Sequence, residues 1–432
     1  MPIDYTQQVQ EYVDANSGRL AALAGDLVRI PSENTPPVGA ERGCQEYLGA
    51  ALEKLGWEVS LYEPTSVAGL PAHPLFWAGR DYRGRPNIGA RRRGTGGGRS
   101  LVLSGHIDTV PRGTQDWTRD PFGAQIEGNR LYGRGSNDMK SGVATNLFMA
   151  EAIRELDLPL AGDLVFETVV DEEFGGVNGT LAGRMAGYNG DAAIVSEPSF
   201  LRICAAQRGG RTVHITFFGG AGGVLTDGMM PAGVVDQLAY FLAAVPEFAA
   251  MRRVAAPGHP LYAACPDPVP VSITKIYTAP WGTREPVTIP DSCRVEMFWQ
   301  AMPGETREQI DRQFHQWFDG VLEAAPKLYA VKPRVEFPIR WLPGSAISAG
   351  EPLVRELSAA AQAATGCVPP VAGIEGPCDM YVFHEFGIPA VLWGARGGNT
   401  HGPDEYVELD TVSAAAKALL LFISRWCGAA RS

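Results

Sequence analysis

Ser100-Leu101-Val102-Leu103-Ser104-Gly105-His106-Ile107-Asp108 is a short apolar run that stops at a glycine and then presents a histidine and a carboxylate two positions apart. A run of this length bounded by polar residues predicts a buried strand. Residues two apart on an extended chain share a face, so His106 and Asp108 point the same way. Asp163–Val170 has the same character and stops at Asp171-Glu172-Glu173. Between the two, Met139–Leu156 has the length and period of a buried helix. Strand, helix, strand, with polar residues at the strand ends, predicts an α/β unit with a largely parallel sheet. Ligands of such sheets sit beyond the carboxyl ends of the strands.

Working toward the N-terminus, Tyr5–Val28 reads as one amphipathic helix, Cys44–Leu55 as a second, and Glu58–Tyr62 as a strand. Arg91-Arg92-Arg93, running into Gly94–Gly98, reads as a solvated loop tip. The pattern changes after Glu197-Pro198-Ser199. Residues 210–340 give a strand (Thr212–Phe218), a helix (Val234–Val245), further strands and a helix (Arg307–Ala324), an α+β insert. The α/β pattern then returns with a helix (Pro352–Ala364), a strand (Ala390–Trp393) and a helix (Thr411–Trp426). The expected organisation is one α/β domain in two pieces, 1–209 and 341–432, interrupted by a lid of 210–340.

A composition of 45% apolar and 20% charged residues is that of a globular protein. The net charge of −11 argues against nucleic-acid binding, which needs clustered Lys and Arg. No apolar run reaches the roughly 20 residues that cross a bilayer, and the N-terminus lacks a secretory pattern, so no membrane partner is expected. The seven cysteines stand singly with no CxxC, which fits reduced thiols and a cytoplasmic location.

Five clusters gather the chemistry: Ser104–Asp108, Gly133–Lys140, Asp171-Glu172-Glu173, Ser196-Glu197-Pro198 and Thr400–Glu405. Together they offer two histidines and several carboxylates, a donor set for zinc, cobalt or manganese. There is no HExxH, so the helical zincin arrangement is excluded. In Glu172-Glu173, adjacent side chains point in different directions, and one can hold a metal while the other stays free as a base.

Taken in this order, the clusters resemble the aminoacylase / carboxypeptidase G / succinyl-diaminopimelate desuccinylase family of co-catalytic metallopeptidases. The resemblance includes Ile30-Pro31-Ser32, Ile289-Pro290-Asp291, Pro303-Gly304-Glu305 and Gly387-Ile388-Pro389-Ala390. It implies that Asp138 bridges two divalent metal ions, that His106 and Glu197 complete one site, and that Glu173 and His401 complete the other. It further implies that Asp108 orients His106, that Glu172 is the catalytic base, and that the Asp138–Met139 peptide bond is cis. The implied reaction is cleavage of an amide, N-acyl or peptide C–N bond in a small carboxylate-bearing substrate by metal-activated hydroxide. The implied assembly is a homodimer joined through the lid.

Three departures bear on the substrate. Gly223 stands where the family usually has a lid histidine that stabilises the oxyanion; His214 reads as structural and His259 lies in a Pro/Gly loop. Thr288 and Gln300 replace a usual asparagine and arginine. Trp281, Trp299, Trp317 and Trp341 enrich the insert and its surroundings in aromatics. Arg340, and Arg396 beside Gly397-Gly398-Asn399, are candidates to grip a substrate carboxylate. These departures admit a rival, an aminohydrolase of a small aromatic acid such as 5-nitroanthranilic acid. A third reading is a non-catalytic binding protein on a peptidase fold, which the intact Glu172 argues against.

Overall fold

A computed structural model of the chain describes residues 4–219, 222–223, 232–278 and 288–428, with the backbone alone for 222–223 and 288–289. The first amphipathic stretch is two helices, α1 (Thr6–Ala15) and α2 (Ser17–Arg29), not one. The Asn16 amide donates to the Tyr12 carbonyl at 2.9 Å and closes the first helix, and the apolar period resumes behind it. Helix α3 (Arg42–Lys54) leads to strands β1 (Glu58–Tyr62) and β2 (Asn87–Arg92). Arg91 and Arg92 are therefore half-buried strand residues, a correction to the loop-tip reading. The ladders to β1 and to a second neighbour both run through Arg91.

Next come β3 (Leu101–His106), α4 (Ser141–Glu155), β4 (Leu164–Val169), α5 (Asn178–Met185), β5 (Ala192–Val195) and β6 (Ile203–Gln207). The intervening piece holds β7 (Gly209–Phe218), α6 (Val234–Ala255), β8 (Val271–Tyr277), β9 (Ser292–Ala301), α7 (Arg307–Ala324) and β10 (Arg334–Glu336). The chain closes with β11 (Ser345–Ala346), α8 (Pro352–Thr365), β12 (Val371–Ile374), α9 (Met380–Glu385), β13 (Ala390–Leu392) and α10 (Leu409–Trp426).

Two compact units result, one of Met1–Ala206, Ala346–Ile374 and Cys378–Ser432, the other of Gln207–Ser345 with Glu375–Pro377. The first is an α/β unit. Its sheet runs β11-β6-β13-β5-β3-β4-β2-β1, with β12 also paired to β6. Strands β3, β4 and β5 are buried along their whole length, which is why they read as unbroken apolar runs. The sheet is parallel at its centre, where β3 pairs with β4 and β5, and β13 with β5. Strands β1, β2 and β6 join antiparallel, so the largely parallel sheet expected from the sequence is in fact mixed. Gly142 lets α4 close on the end of β5, since a Cβ there would lie 1.9 Å from the Ser196 carbonyl oxygen.

In the second unit an antiparallel sheet, β8-β9-β7-β10, buries one face under two helices. Alternate residues Val213, Ile215 and Phe217 of β7, and Val295, Met297 and Trp299 of β9, pack on Phe241 and Phe248 of α6 and on Phe314 and Trp317 of α7. Thr306 and Gln309 cap α7 reciprocally. Helix α6 continues through Pro246 to Ala255, ten residues beyond the sequence expectation. It is long and apolar enough to cross a membrane by length and composition alone. Its fully buried Phe241 and Phe248 belong to this unit's core.

Candidate metal centre

Three of the five segments that build the centre leave the carboxyl ends of neighbouring strands. His106 is the last residue of β3, the Asp171–Glu173 turn follows β4, and Glu197 follows β5. Asp138 comes from the turn before α4, where Gly135 has φ +80° and the Asp138–Met139 bond is cis. His401 comes from a loop before α10 in which Asn399, His401 and Asp404 all have positive φ.

The two oxygens of Asp138 face different imidazoles. Oδ1 lies 3.1 Å from Nε2 of His106, and Oδ2 lies 3.4 Å from Nε2 of His401. Glu197 Oε1 is 3.5 Å from the first imidazole, and Glu173 Oε2 is 2.9 Å from the second. One ligand atom from each of His106, Glu172 and Glu197 falls within a single 4.8 Å cluster, as does one from each of His106, Asp138 and Glu173. Glu172 also lines a small recess with Ser104, Gly105, Thr180, Asp379 and Phe383.

So many acids in a buried place oppose one another's ionisation. Burial, and then the Asp138 charge, push the Glu173 carboxyl up to about 7. Burial raises Glu172 well above the carboxylate range, with Asp379, Glu197 and Glu173 adding to it. Glu197 is raised in the same way by burial and by Asp138. Burial disfavours the imidazolium of His106, yet the charges of Glu197 and its neighbours overcome that and hold its pKa well above the usual value. For His401 burial is likewise outweighed, by Asp138 and Glu173, and the pKa reaches about 10. Asp138 is held low against its burial by both imidazoles. Crowded carboxylates around two imidazoles, with one carboxylate shared, are the donor set that a pair of divalent cations would satisfy.

Asp108 departs from the role the resemblance implies. The His106 Nδ1 bond goes to the main-chain oxygen of Asp108 at 2.9 Å, and the nearer carboxylate oxygen is 3.7 Å away. The chain turns after β3 and sends that carboxylate elsewhere. It accepts the backbone N–H groups of Glu172 and Glu173, each at 3.1 Å.

Other expected residues are engaged differently. Arg396 is exposed, with its guanidinium 3.7 Å from Glu408. Asn399 spends its amide on the Asp404 carbonyl at 3.2 Å, shaping the loop that carries His401. Arg340 lies in the second unit and is half buried. His214 is bonded to Glu296 at 2.8 Å, and His259 accepts from the Leu261 N–H at 3.3 Å. Trp299 and Trp317 are core residues, so they line no substrate slot, and Trp341 packs on the same core. Trp281 lies outside the described residues. Gly223 pairs with Thr288 in a short antiparallel ladder. Gln300 binds Arg208 and the Glu375 carbonyl within its own unit.

Glu405, to which the sequence pattern assigns no role, accepts Arg134 Nη1 at 2.6 Å and the N–H groups of Gly135, Asn137 and Asp138 at 3.0–3.1 Å. Its signal was present, as a carboxylate in the last cluster and an arginine in the second. Only the fold joins them.

The sequence model of peptidase family M20/M25/M40 matches residues 102–425. The chain belongs to that family. It is an enzyme, a metal-dependent hydrolase acting on carbon–nitrogen bonds. It is 26% identical to an N-formyl-4-amino-5-aminomethyl-2-methylpyrimidine deformylase of Bacillus subtilis, over 97% of both chains. It is 29% identical to a succinyl-diaminopimelate desuccinylase of Dinoroseobacter shibae, over 90% of this chain and 94% of that one. Its fold is similar to human carnosine dipeptidase 1 (TM-score 0.75, 16% identity, 99% and 100% covered). It is also similar to a Bacillus subtilis protein described as a dinuclear metal binding peptidase of the M20 family (TM-score 0.59, 16% identity, 96% and 99% covered). Both sequence relatives are named for removing an acyl group, so neither the aminobenzoate deamination nor the non-catalytic reading is carried forward.

Proposed function

We propose that this M20-family hydrolase removes a formyl or other short acyl group from the nitrogen of a small amine. The observation that carries the reading is the shared Asp138, whose two oxygens face His106 and His401 separately. In this account His106, Asp138 and Glu197 hold one divalent cation, and Asp138, Glu173 and His401 the other. Zinc is the first choice for imidazole and carboxylate donors, with cobalt or manganese compatible. When bound, the pair supplies Lewis-acid polarisation of the acyl carbonyl and acidifies a water.

The protein's own share is positional and protonic. Glu172 sits against the cluster with a proton affinity raised by burial. It takes the proton of the attacking water and returns it to the departing nitrogen, serving as base and then acid. Asp108 fixes both acids of the turn by holding their backbone N–H groups. The substrate class leans on the end-to-end similarity to the deformylase. A cytoplasmic location is supported by seven cysteines that form no disulfide among the described residues.

The test is kcat/KM of zinc-loaded protein on N-formyl, N-acetyl and N-succinyl derivatives of one small amine, beside N-acetyl amino acids and dipeptides. The formyl or another short acyl amine is expected to lead. A dipeptide or acylamino acid that leads would overturn this substrate class.

A homodimer is also proposed. Strand β8 is a sheet edge among the described residues and exposes Ile276 and Tyr277, while α6 exposes Val235 and Val254. Sedimentation should find a dimer that Ile276→Asp with Tyr277→Lys converts to monomer, and an unchanged dimer would contradict a β8 interface.

A further inference from the structure

We infer that Asn34 is a positioning residue for the reaction, acting on the Glu172-Glu173 turn through Asp108. The inference rests on Glu172 being the base. Asn34 is fully buried on a two-residue strand, where its own N–H donates to the Thr109 carbonyl. Its side-chain amide nitrogen donates to Asp108 Oδ2 at 2.9 Å and to Asp171 Oδ1 at 3.0 Å. Its amide oxygen accepts Arg85 Nη2 at 3.3 Å. Two donors and one acceptor are thus all used, and two buried carboxylates from different strand ends are joined by a single neutral group.

Each carboxylate so joined is anchored again beyond Asn34. Asp171 accepts the Tyr82 hydroxyl at 2.6 Å and faces Arg80 at 3.4 Å. Arg85 is held by buried Glu41. Asp108 turns its oxygens to the N–H groups of Glu172 and Glu173. Arg85 thereby fixes Asn34, Asn34 fixes the Asp108 carboxylate, and Asp108 fixes the backbone from which the base and one proposed metal ligand project. No other side chain of similar size does this. Aspartate would set three carboxylates together, and leucine would leave two of them short of a partner. A catalytic group displaced by about 1 Å loses on the order of 10²-fold in rate, so a support this rigid has kinetic leverage.

The experiment is a double-mutant cycle on metal-saturated full-length protein. Asn34→Ala should lower kcat about tenfold or more with KM changed less than about twofold, the usual scale for a lost outer partner. In an Asp108→Asn background the same change should add less than about twofold, because both act through one carboxylate. Calorimetric zinc affinity of the stripped Asn34→Ala protein should fall about tenfold, a readout independent of turnover. Tyr82→Phe removes one hydroxyl from the same network and should cut kcat severalfold in the same sense, and this tests the route even if Asn34→Ala fails to fold. Wild-type kcat in either variant, full multiplication of the two losses in the cycle, or a loss that follows the melting temperature alone would overturn the inference. Full activity in Glu172→Gln would instead overturn the assignment of the base, and with it what Asn34 positions.

Discussion

Replacing Arg134 by methionine strips a buried ion pair of its cation and leaves its carboxylate in place. Arg134 and Glu405 are each 1% exposed and 2.6 Å apart. Removing one partner of such a pair costs about 3–5 kcal/mol, because the remaining charge stays buried. At roughly 2 °C per kcal/mol for a unit of this size, the melting temperature should fall by about 6–10 °C near neutral pH. The pH dependence has a definite sign. Burial already raises the Glu405 carboxyl from its ordinary value, and Arg134 is the main group opposing that rise. Without Arg134 the folded-state pKa rises further, so folding favours the protonated acid. The penalty is then full above the raised pKa and shrinks as pH falls through it. Glu405 also holds the N–H groups of Gly135, Asn137 and Asp138, so zinc affinity should weaken together with stability. Thermal melts of both proteins between pH 5 and pH 8 make the measurement. A shift under about 1 °C, or a deficit that grows toward acid pH, would mean that Arg134 does not offset a buried Glu405 charge.

Glu172→Gln should retain wild-type metal content while kcat falls at least ~10²-fold, the scale of a lost general acid–base; metal loss in proportion to activity would make Glu172 a ligand. Zinc binding to the stripped protein at pH 7 should release protons, since His401 titrates at about 10 and His106 well above its usual value, whereas ligation needs neutral imidazole. Calorimetry in buffers of different ionisation enthalpy reads this, and no buffer dependence would contradict it. Arg396→Ala should change kcat/KM by less than about twofold, because a surface pair with Glu408 contributes about 0–1 kcal/mol; a rise in KM of tenfold or more would restore Arg396 as a substrate anchor.

The chain's chemistry was legible because acids and histidines stand where apolar runs stop, and β3, β4 and β5 are such runs. Helix α7 was legible to the residue, since Thr306 and Gln309 mark its start and its apolar period is regular. What failed has physical causes. Strand β2 ends in arginines because it is flanked on both sides by other strands, which hold the backbone whatever the side chains are. Helix α6 runs on past Val245 because a helix covered on one face by Phe241 and Phe248 tolerates the N–H bond lost at Pro246. The supports of the centre, Asn34, Arg85 and Glu405, were invisible because each acts on a partner tens to hundreds of residues away. The Asp108 carboxylate was misassigned because spacing gives a face, while the turn after β3 decides where on that face the group points.

If five side chains share two cations through Asp138, metal content and turnover must rise together. Zinc titrated into stripped protein, followed by elemental analysis and activity, should reach two ions per chain in the wild type, with activity rising as the sites fill. Asp138→Ala, which removes the shared carboxylate, should bind neither ion tightly and should be inactive. Full turnover by the stripped wild-type protein, or two tightly held ions in Asp138→Ala, would mean that Asp138 does not join a catalytic metal pair.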